Sequence, residues 1–311
     1  MGRGRLRRVT SEAITAGAAG TWTLGDLTVN RIGLGAMRLT GGVGNRPVDR
    51  DQAITVLRRA LDLGVNHIDT AAFYFSPLRS ANELINRALA PYPDHLVIAT
   101  KVWPGRDPSG EWWWATPAQL RGQVEENLRQ LGRDCLDVVN LRLPRGMTAG
   151  SIAEHFGTLA GLRDAGLIRH LGISNVTQAH LAQARAIAPV VCVQNAYGLG
   201  APTAEREFLL ACGEQGVAYV PFFAIAGEAR ATGADPADDA ETLAVARARG
   251  ATAAQVRLAW TLQLGPHVRA IPGTSNLDHL AANVAAGALR LSAEEMRRLN
   301  SIQAPAGPRR A

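Results

Sequence analysis

Eight short apolar runs, each followed by a helical pattern, constrain this chain more than any other feature. They lie at 31–35, 66–69, 96–100, 137–143, 168–173, 190–194, 217–222 and 268–271. Continuous rather than alternating apolar character is what a strand shows when both faces of its sheet are covered. Repeated strand–helix units without a break in composition predict an α/β fold, a (β/α)8 TIM barrel. A length of 311 residues accommodates it. The rival is a doubly wound dinucleotide-binding sheet. Its best anchor, Gly33-Leu34-Gly35-Ala36-Met37-Arg38, lacks the third glycine of the fingerprint and is rejected.

Local punctuation supports the helices. Asp49 to Gln52, Ser80 to Glu83, Thr116 to Gln119, Thr252 to Gln255 and Ser292 to Glu295 all have the spacing of a capping box. Gly64, Gly132, Gly166 and Gly216 sit where helices should end. Runs at 21–24 and 27–29 flank Gly25-Asp26, a hairpin signal ahead of the first unit, placed to plug the barrel floor. Two further helical stretches, 238–249 and 293–302, exceed the basic repeat. The expected organisation is a flexible basic tail over 1–20 and one barrel domain over 21–311. The loop 103–114 is long and ends in three tryptophans, Trp112 to Trp114, which suit either core packing or a wall facing a ligand.

Composition narrows the class. The net charge of +6 is accounted for by Arg3, Arg5, Arg7, Arg8, Arg309 and Arg310, so the body is near neutral and no nucleic-acid partner is expected. No apolar stretch is long enough to span a bilayer, and no apolar segment follows the basic N-terminus to make it a signal peptide, so no membrane partner is expected. Cys135, Cys192 and Cys212 are scattered, without metal-ligand spacing. They read as reduced thiols of a cytoplasmic protein with no metal.

The chemistry gathers at the predicted carboxyl ends of the strands, where barrels of this type place their active groups. Those ends carry Asp69, Tyr74 in the loop beyond it, Lys101, Asn140, Arg142, Ser174, Asn175, Gln194 and Phe222. Lys101 is the only lysine among 33 basic residues. An ammonium is a compact charge that arginine cannot replace beside another titrating group. A free tyrosine holds its proton to about pH 10 and donates it poorly near neutrality. A neighbouring ammonium favours the phenolate, and a carboxylate paired with that ammonium holds it charged and oriented. Asp69, Tyr74 and Lys101 together therefore suit a general acid that protonates a carbonyl oxygen as hydride arrives at carbon.

These residues stand in segments that resemble the aldo-keto reductase superfamily over about 21–302. The segments are Gly33 to Met37, Gly64 to Ala71, Thr100-Lys101, Leu171 to Asn175, Val193 to Asn195 and Ile271 to Ser275. Leu136 to Arg142 and Tyr219 to Phe223 are most similar to the pyridoxal-reductase-like subgroup. The resemblance implies carbonyl reduction with NADP(H), with a small-molecule carbonyl as substrate. It implies that Tyr74 donates the proton and that Lys101 and Asp69 tune it. Ser174, Asn175 and Gln194 would hold the carboxamide, and Phe222 would stack under the nicotinamide. Gly35 and Met37 would flank the cofactor, with Gly273, Thr274, Ser275, His279 and Asn283 at the adenosine phosphate end. Arg142 stands where most relatives have histidine; with Asn140 it would orient the substrate oxygen or bind an anionic substituent. Trp103 is a further candidate for substrate contact. Phe75 follows Tyr74 in place of the common glycine, and Ala196 and Ala224 replace a usual glutamate and proline. The other readings for such a barrel are a cofactor-binding regulatory subunit or a non-redox epimerase or cyclase.

Overall fold

The computed structural model describes residues 14–41, 48–225 and 239–302. In chain order the strands and helices are β1 (Thr21–Leu24), β2 (Leu27–Asn30), β3 (Leu34–Gly35), α1 (Arg50–Asp62), β4 (His67–Asp69), β5 (Phe75–Ser76), β6 (Arg79–Ser80), α2 (Ala81–Leu89), β7 (Val97–Val102), β8 (Pro104–Arg106) and β9 (Trp112–Trp114). There follow α3 (Leu120–Leu131), β10 (Leu136–Arg142), α4 (Ala153–Asp164), β11 (Ile168–Ser174), α5 (Gln178–Ile187), β12 (Val190–Gln194), α6 (Thr203–Glu214), β13 (Ala218–Tyr219), α7 (Ala240–Arg249), α8 (Ala253–Gln263), α9 (Leu277–Ala285) and α10 (Ala293–Asn300).

The main sheet has the order β13-β12-β11-β10-β7-β4-β3. Every pairing in it is parallel, so each connection must cross over, and helices do so. The arrangement is α/β and resembles a (β/α)8 fold. The eighth apolar run forms no extended strand. It makes two isolated parallel bridges, Tyr219 to Val268 on one side and Ile32 to Ala270 on the other. The first and seventh strands are also shorter than expected. Pro221 and Pro272 supply no N–H to a ladder, which limits the last two segments. Lys101, expected just beyond a strand, lies inside β7 and pairs with Asn140.

The helix signals are realised. Asp49 accepts from the N–H groups of Asp51 and Gln52, and Ser80 accepts from that of Glu83. Thr116, Thr252 and Ser292 form capping boxes. Gly64, Gly132, Gly166 and Gly216 all have positive φ, which is why glycine ends these helices. The two additional helices are α7 and α10, tied together by a bidentate Arg249–Glu295 pair.

Within the stretch expected as tail, Ala16–Ala19 form a 3-10 turn, with Ala16 and Ala19 buried, whose first N–H donates to the Leu63 carbonyl at 2.8 Å. Alanine side chains let this turn approach Gly287 closely. The arginines of 1–13 and those at 309 and 310 lie outside the described residues. The loop 103–114 also differs from expectation, because β8 and β9 pair as an antiparallel ribbon. Its tryptophans are exposed, 53%, 39% and 45% for Trp112, Trp113 and Trp114, so they are not core.

Two cores hold the sheet. The larger lies between sheet and helices and includes Ile68, Ile98, Val139, Leu141, Ile173 and Val193. The smaller lies on the other face, where Leu24 and Val29 of the β1–β2 hairpin pack on Val97, Val138, Cys192 and Ala218. The hairpin thus plugs the amino ends of the strands, as the sequence suggested. Asp26 in its turn accepts from Arg169 and meets His170, each at 2.6 Å. Above the plug is a polar layer. A Cβ on Gly33 would fall on the His67 ring, and one on Gly172 on Asn140 Oδ1 and Cys192 Sγ. Two glycines therefore make the room that His67 and Asn140 fill.

Candidate active site

Register brings the chemistry to one end of the sheet. Gly35 pairs with Asp69, Arg142 with Ser174, and Ser174 with Gln194. Lys101 lies on the neighbouring strand between Asp69 and Arg142. Strand alternation turns all of these side chains toward the same face.

Lys101 Nζ donates to Asp69 Oδ1 at 2.6 Å and to the Thr70 carbonyl at 2.9 Å. Both residues of the pair are almost wholly buried. Removing one partner of a buried pair strands the other charge, so Asp69 and Lys101 stand or fall together. Lys101 Nζ also lies 4.8 Å from the centre of the Tyr74 ring. Tyr74 is half-buried on the turn after β4, which is closed by its N–H to the Ala71 carbonyl. Gln194 Nε2 donates to the second Asp69 oxygen at 2.7 Å, while Gln194 Oε1 is buried without a partner among the described residues. A buried acceptor left free needs a donor.

Arg142 reaches across the same end. Its Nη1 donates to Ser174 Oγ at 2.9 Å, and its Cζ lies 4.8 Å from the Phe222 ring centre. Burial lowers its proton affinity, opposed by Tyr74 and Asp69 nearby. One face of Phe222 therefore carries a cation. Asn175 has φ 58° and donates from its carboxamide to the Leu143 carbonyl. Among the described residues the non-glycine residues of positive φ are Trp103, Asn175 and Phe223. Each falls at the carboxyl end of a sheet segment, the place where backbone strain accompanies function.

Two residues assigned from sequence are engaged with other parts of the protein. Asn140 lies one step deeper on β10 than Arg142, level with Lys101. It is 1% exposed, and its amide is engaged by the Thr100 carbonyl and by Cys192, each at 3.4 Å. Two residues along a strand separate it from Arg142 by roughly 6.6 Å of depth. Trp103 is 6% exposed and stacked on His155 of α4 at 4.1 Å. Trp112 connects to Tyr74 through Phe73, which it meets at 5.5 Å and which meets Tyr74 at 5.1 Å.

The second group of residues forms a cradle beside the first. Gly35 and Gly273 cross so closely that a Cβ on either would meet the other segment's backbone, Ile271 O at 2.7 Å and Gly35 O at 2.8 Å. Half-buried Met37 follows on the turn after β3. Gln52 donates to the Ser275 carbonyl at 2.6 Å and steadies the segment from α1, a contact the sequence reading missed. Asn276 caps α9 by accepting from the His279 N–H, leaving the His279 side chain exposed at a helix N-terminus. Thr274 and Asn283 are buried beside it. Exposed backbone and a helix start suit an anionic phosphate group. With the free Gln194 oxygen at one end and this cradle at the other, the residues fit a nicotinamide dinucleotide.

Sequence reasoning also missed Arg269 and His67 below the site. Arg269 is 1% exposed, with Nε and Nη1 unpartnered among the described residues, and burial lowers its pKa to about 10. Burial, Arg269 and Lys101 hold His67 well below the usual histidine range, so it is neutral. Burial likewise pushes the Cys192 thiol up to about 11. No helix among the described residues is long and apolar enough to cross a membrane.

Comparison with known proteins agrees with this geometry. The aldo/keto reductase family model matches residues 31–304. The pyridoxine 4-dehydrogenase of Escherichia coli is 46% identical over 291 residues, covering 92% of this chain and 99% of that protein. An uncharacterized oxidoreductase of Schizosaccharomyces pombe is 37% identical, with 93% and 92% covered. A crystal structure of an aldo-keto reductase from Klebsiella pneumoniae in complex with NADPH superposes with a TM-score of 0.73 at 28% identity, covering 88% of this chain and 90% of that one. The match spans the site and nearly the whole described chain, which belongs to the aldo/keto reductase family of NAD(P)H-dependent oxidoreductases.

Proposed function

We propose that this protein reduces an aldehyde or ketone to an alcohol, with Tyr74 as proton donor. The observation that carries this reading is the buried Asp69–Lys101 pair beside the Tyr74 ring. NADPH, when bound, supplies the hydride that reaches the carbonyl carbon. Ser174, Asn175 and Gln194 would hold its carboxamide, with Gln194 Oε1 as an acceptor that has no donor among the described residues. Phe222 would pack near the ring. Gly35, Met37 and the Gly273–Thr274–Ser275 turn would hold the pyrophosphate end, with His279 and Asn283 at the adenosine. As the carbonyl carbon takes the hydride, its oxygen gains charge. Arg142 donates to that oxygen, and Tyr74 gives up its hydroxyl proton there. Lys101 stabilises the resulting phenolate, and Asp69 holds Lys101 in place. The intact Asp69–Lys101 pair beside Tyr74 argues against a reductase-like subunit without catalysis.

The relative's name points toward pyridoxal-like aldehydes as substrates. We also propose that residues 267–270 close the sheet into a (β/α)8 barrel, supported by their bonds to both flanking segments. The barrel is the single domain of the chain and works in the cytoplasm on a small molecule. The test is NADPH consumption over a panel of aldehydes that includes pyridoxal. Turnover of at least one, with the matching alcohol as product, is expected. Binding of NADPH without turnover of any carbonyl would overturn the reading.

A further inference from the structure

Behind the Asp69–Lys101 pair, on the opposite face of the sheet, lies a second polar arrangement. Thr70 follows Asp69 and Thr100 precedes Lys101, so their side chains turn the other way, toward the helices. Thr70 Oγ1 donates to Asn82 Oδ1 of α2 at 2.8 Å, and Thr100 Oγ1 donates to Asn127 Oδ1 of α3 at 2.6 Å. Asn82 Nδ2 closes the bridge by donating to Asn127 Oδ1 at 3.0 Å. Further amide hydrogens are also used: Asn82 Nδ2 donates to Gln130 Oε1, and Asn127 Nδ2 to the Gln123 carbonyl. All four residues of the bridge are fully buried.

The layer around them is apolar, with Ile68, Ile98 and Val124 in it. Apolar side chains would fill the same space with no hydrogen bond to satisfy. Asparagine is also a modest helix former. Packing alone therefore does not ask for two buried amides here. Fixed geometry does, because each bond has a direction and a length.

What the bridge fixes follows from the register. The ladder between β4 and β7 ends where Asp69 pairs with Ala99. Lys101 lies two residues past Ala99, and its ammonium binds both the Asp69 carboxylate and the Thr70 carbonyl. Thr70 is thus held from two sides, its carbonyl by Lys101 and its hydroxyl by Asn82. A turn of the backbone at Thr70 would move that carbonyl and the Asp69 carboxylate together, and the ammonium beside the Tyr74 ring with them. We propose that Asn82 and Asn127 are positioning residues for carbonyl reduction: by tying Thr70 to Thr100 they set where Lys101 stands against Tyr74. The inference rests on the reductase reading above and adds to that site a support from the far side of the sheet.

Asn127→Leu would empty the centre of the bridge and endanger folding, so the test cuts the two outer bonds. Valine has the shape of threonine without its hydroxyl. Serine keeps the hydroxyl and gives up the methyl. A packing role is therefore served better by valine, and a hydrogen-bonding role by serine. Thr100→Val is the milder cut, because Asn127 Oδ1 keeps its bond from Asn82. The readout is the single-turnover rate of NADPH oxidation with 4-nitrobenzaldehyde and with pyridoxal, which separates chemistry from cofactor release.

Thr70→Val and Thr100→Val should slow that rate by about 10- to 100-fold, the scale of a misplacement of about 1 Å. NADPH affinity, measured by fluorescence titration, should be unchanged. Thr70→Ser and Thr100→Ser should recover most of the rate. Thr261→Val removes a comparable hydroxyl bond from a fully buried threonine of α8, and should lower the melting temperature without slowing turnover. If the valine variants match wild type, if the serine variants are as slow as the valine ones, or if the rate falls only as NADPH affinity falls, the inference fails and the reductase reading stands. If wild type reduces no aldehyde, the reductase reading fails and takes the inference with it.

Discussion

Lys101 Nζ sits 2.6 Å from Asp69 Oδ1 and 4.8 Å from the ring centre of Tyr74, joining a buried carboxylate to a half-exposed phenol. The geometry needs a small donor. The ammonium is already divided between Asp69 and the Thr70 carbonyl, in a place that is 2% exposed. A planar guanidinium has no room to turn there.

Lys101→Arg should therefore fold and lose most carbonyl reduction, by roughly 10²- to 10⁴-fold in kcat, the usual contribution of a positioned proton donor. Circular dichroism and cofactor titration provide the controls. Turnover near wild type in a folded variant would remove Lys101 from the mechanism.

NADPH should bind more tightly than NADH. The phosphate-end segment offers the Thr274–Ser275 backbone and the exposed His279 at the start of α9. His279→Ala should narrow the difference, since a phosphate at a helix start gains from each hydrogen-bond donor that faces it. Fluorescence titration measures both constants, and equal affinity for the two cofactors in the wild type would contradict the assignment.

Gly35→Ala should destabilise the protein by about 1–3 kcal/mol, the usual cost of overpacking. The new Cβ would meet the Ile271 carbonyl at 2.7 Å, and backbone cannot swing aside as a side chain can. Cofactor affinity should fall as well, because Gly273 is displaced by the same contact. An unchanged melting temperature would show that the two segments separate freely.

His67 predicts a pH limit on stability. Folded, it is neutral because its proton affinity is held down by burial and by Arg269 and Lys101. Unfolded, it takes up a proton below about pH 6.5. Below that value the unfolded chain binds more protons than the native one, so stability falls with falling pH, by up to about 1.4 kcal/mol per pH unit from this residue. His67→Gln should flatten the slope between pH 6.5 and the much lower folded value. Parallel melting curves for wild type and variant across that interval would count against it.

The legible parts of this molecule were local or singular. Caps at Asp49, Thr252 and Ser292 depend on three or four adjacent residues, and each was realised. Lys101 stood out because arginine had taken every other basic position. Depth was not legible. Alternation assigns Asn140 and Arg142 to one face but does not say that the first is sealed beneath the second. The polar layer was missed for a related reason. Arg269, in an otherwise apolar run between Val268 and Ala270, was the available signal, but the groups it faces, Cys192 and Asp69, come from strands far away in sequence. The β8–β9 ribbon escaped notice because Pro104 and Gly105 are poor strand formers and their pairing with Trp113 and Trp114 is a tertiary outcome.

The first and last parts of the sheet meet through few bonds. Ala270 N–H reaches the Arg31 carbonyl at 2.9 Å and Gly33 N–H reaches the Ala270 carbonyl at 2.8 Å. Three residues later the same strand end becomes Gly273, at the start of the cradle. A dinucleotide seated there would act as a clasp across the seam. Saturation at about 100 times the dissociation constant adds about 2.7 kcal/mol to global stability. Locally, amide hydrogen exchange at Gly33 and Ala270 should slow more on loading than at Ile98 in the middle of the sheet. The ligand that serves the chemistry would then also govern how often this seam breathes, and so how readily a protease finds it when cofactor runs short.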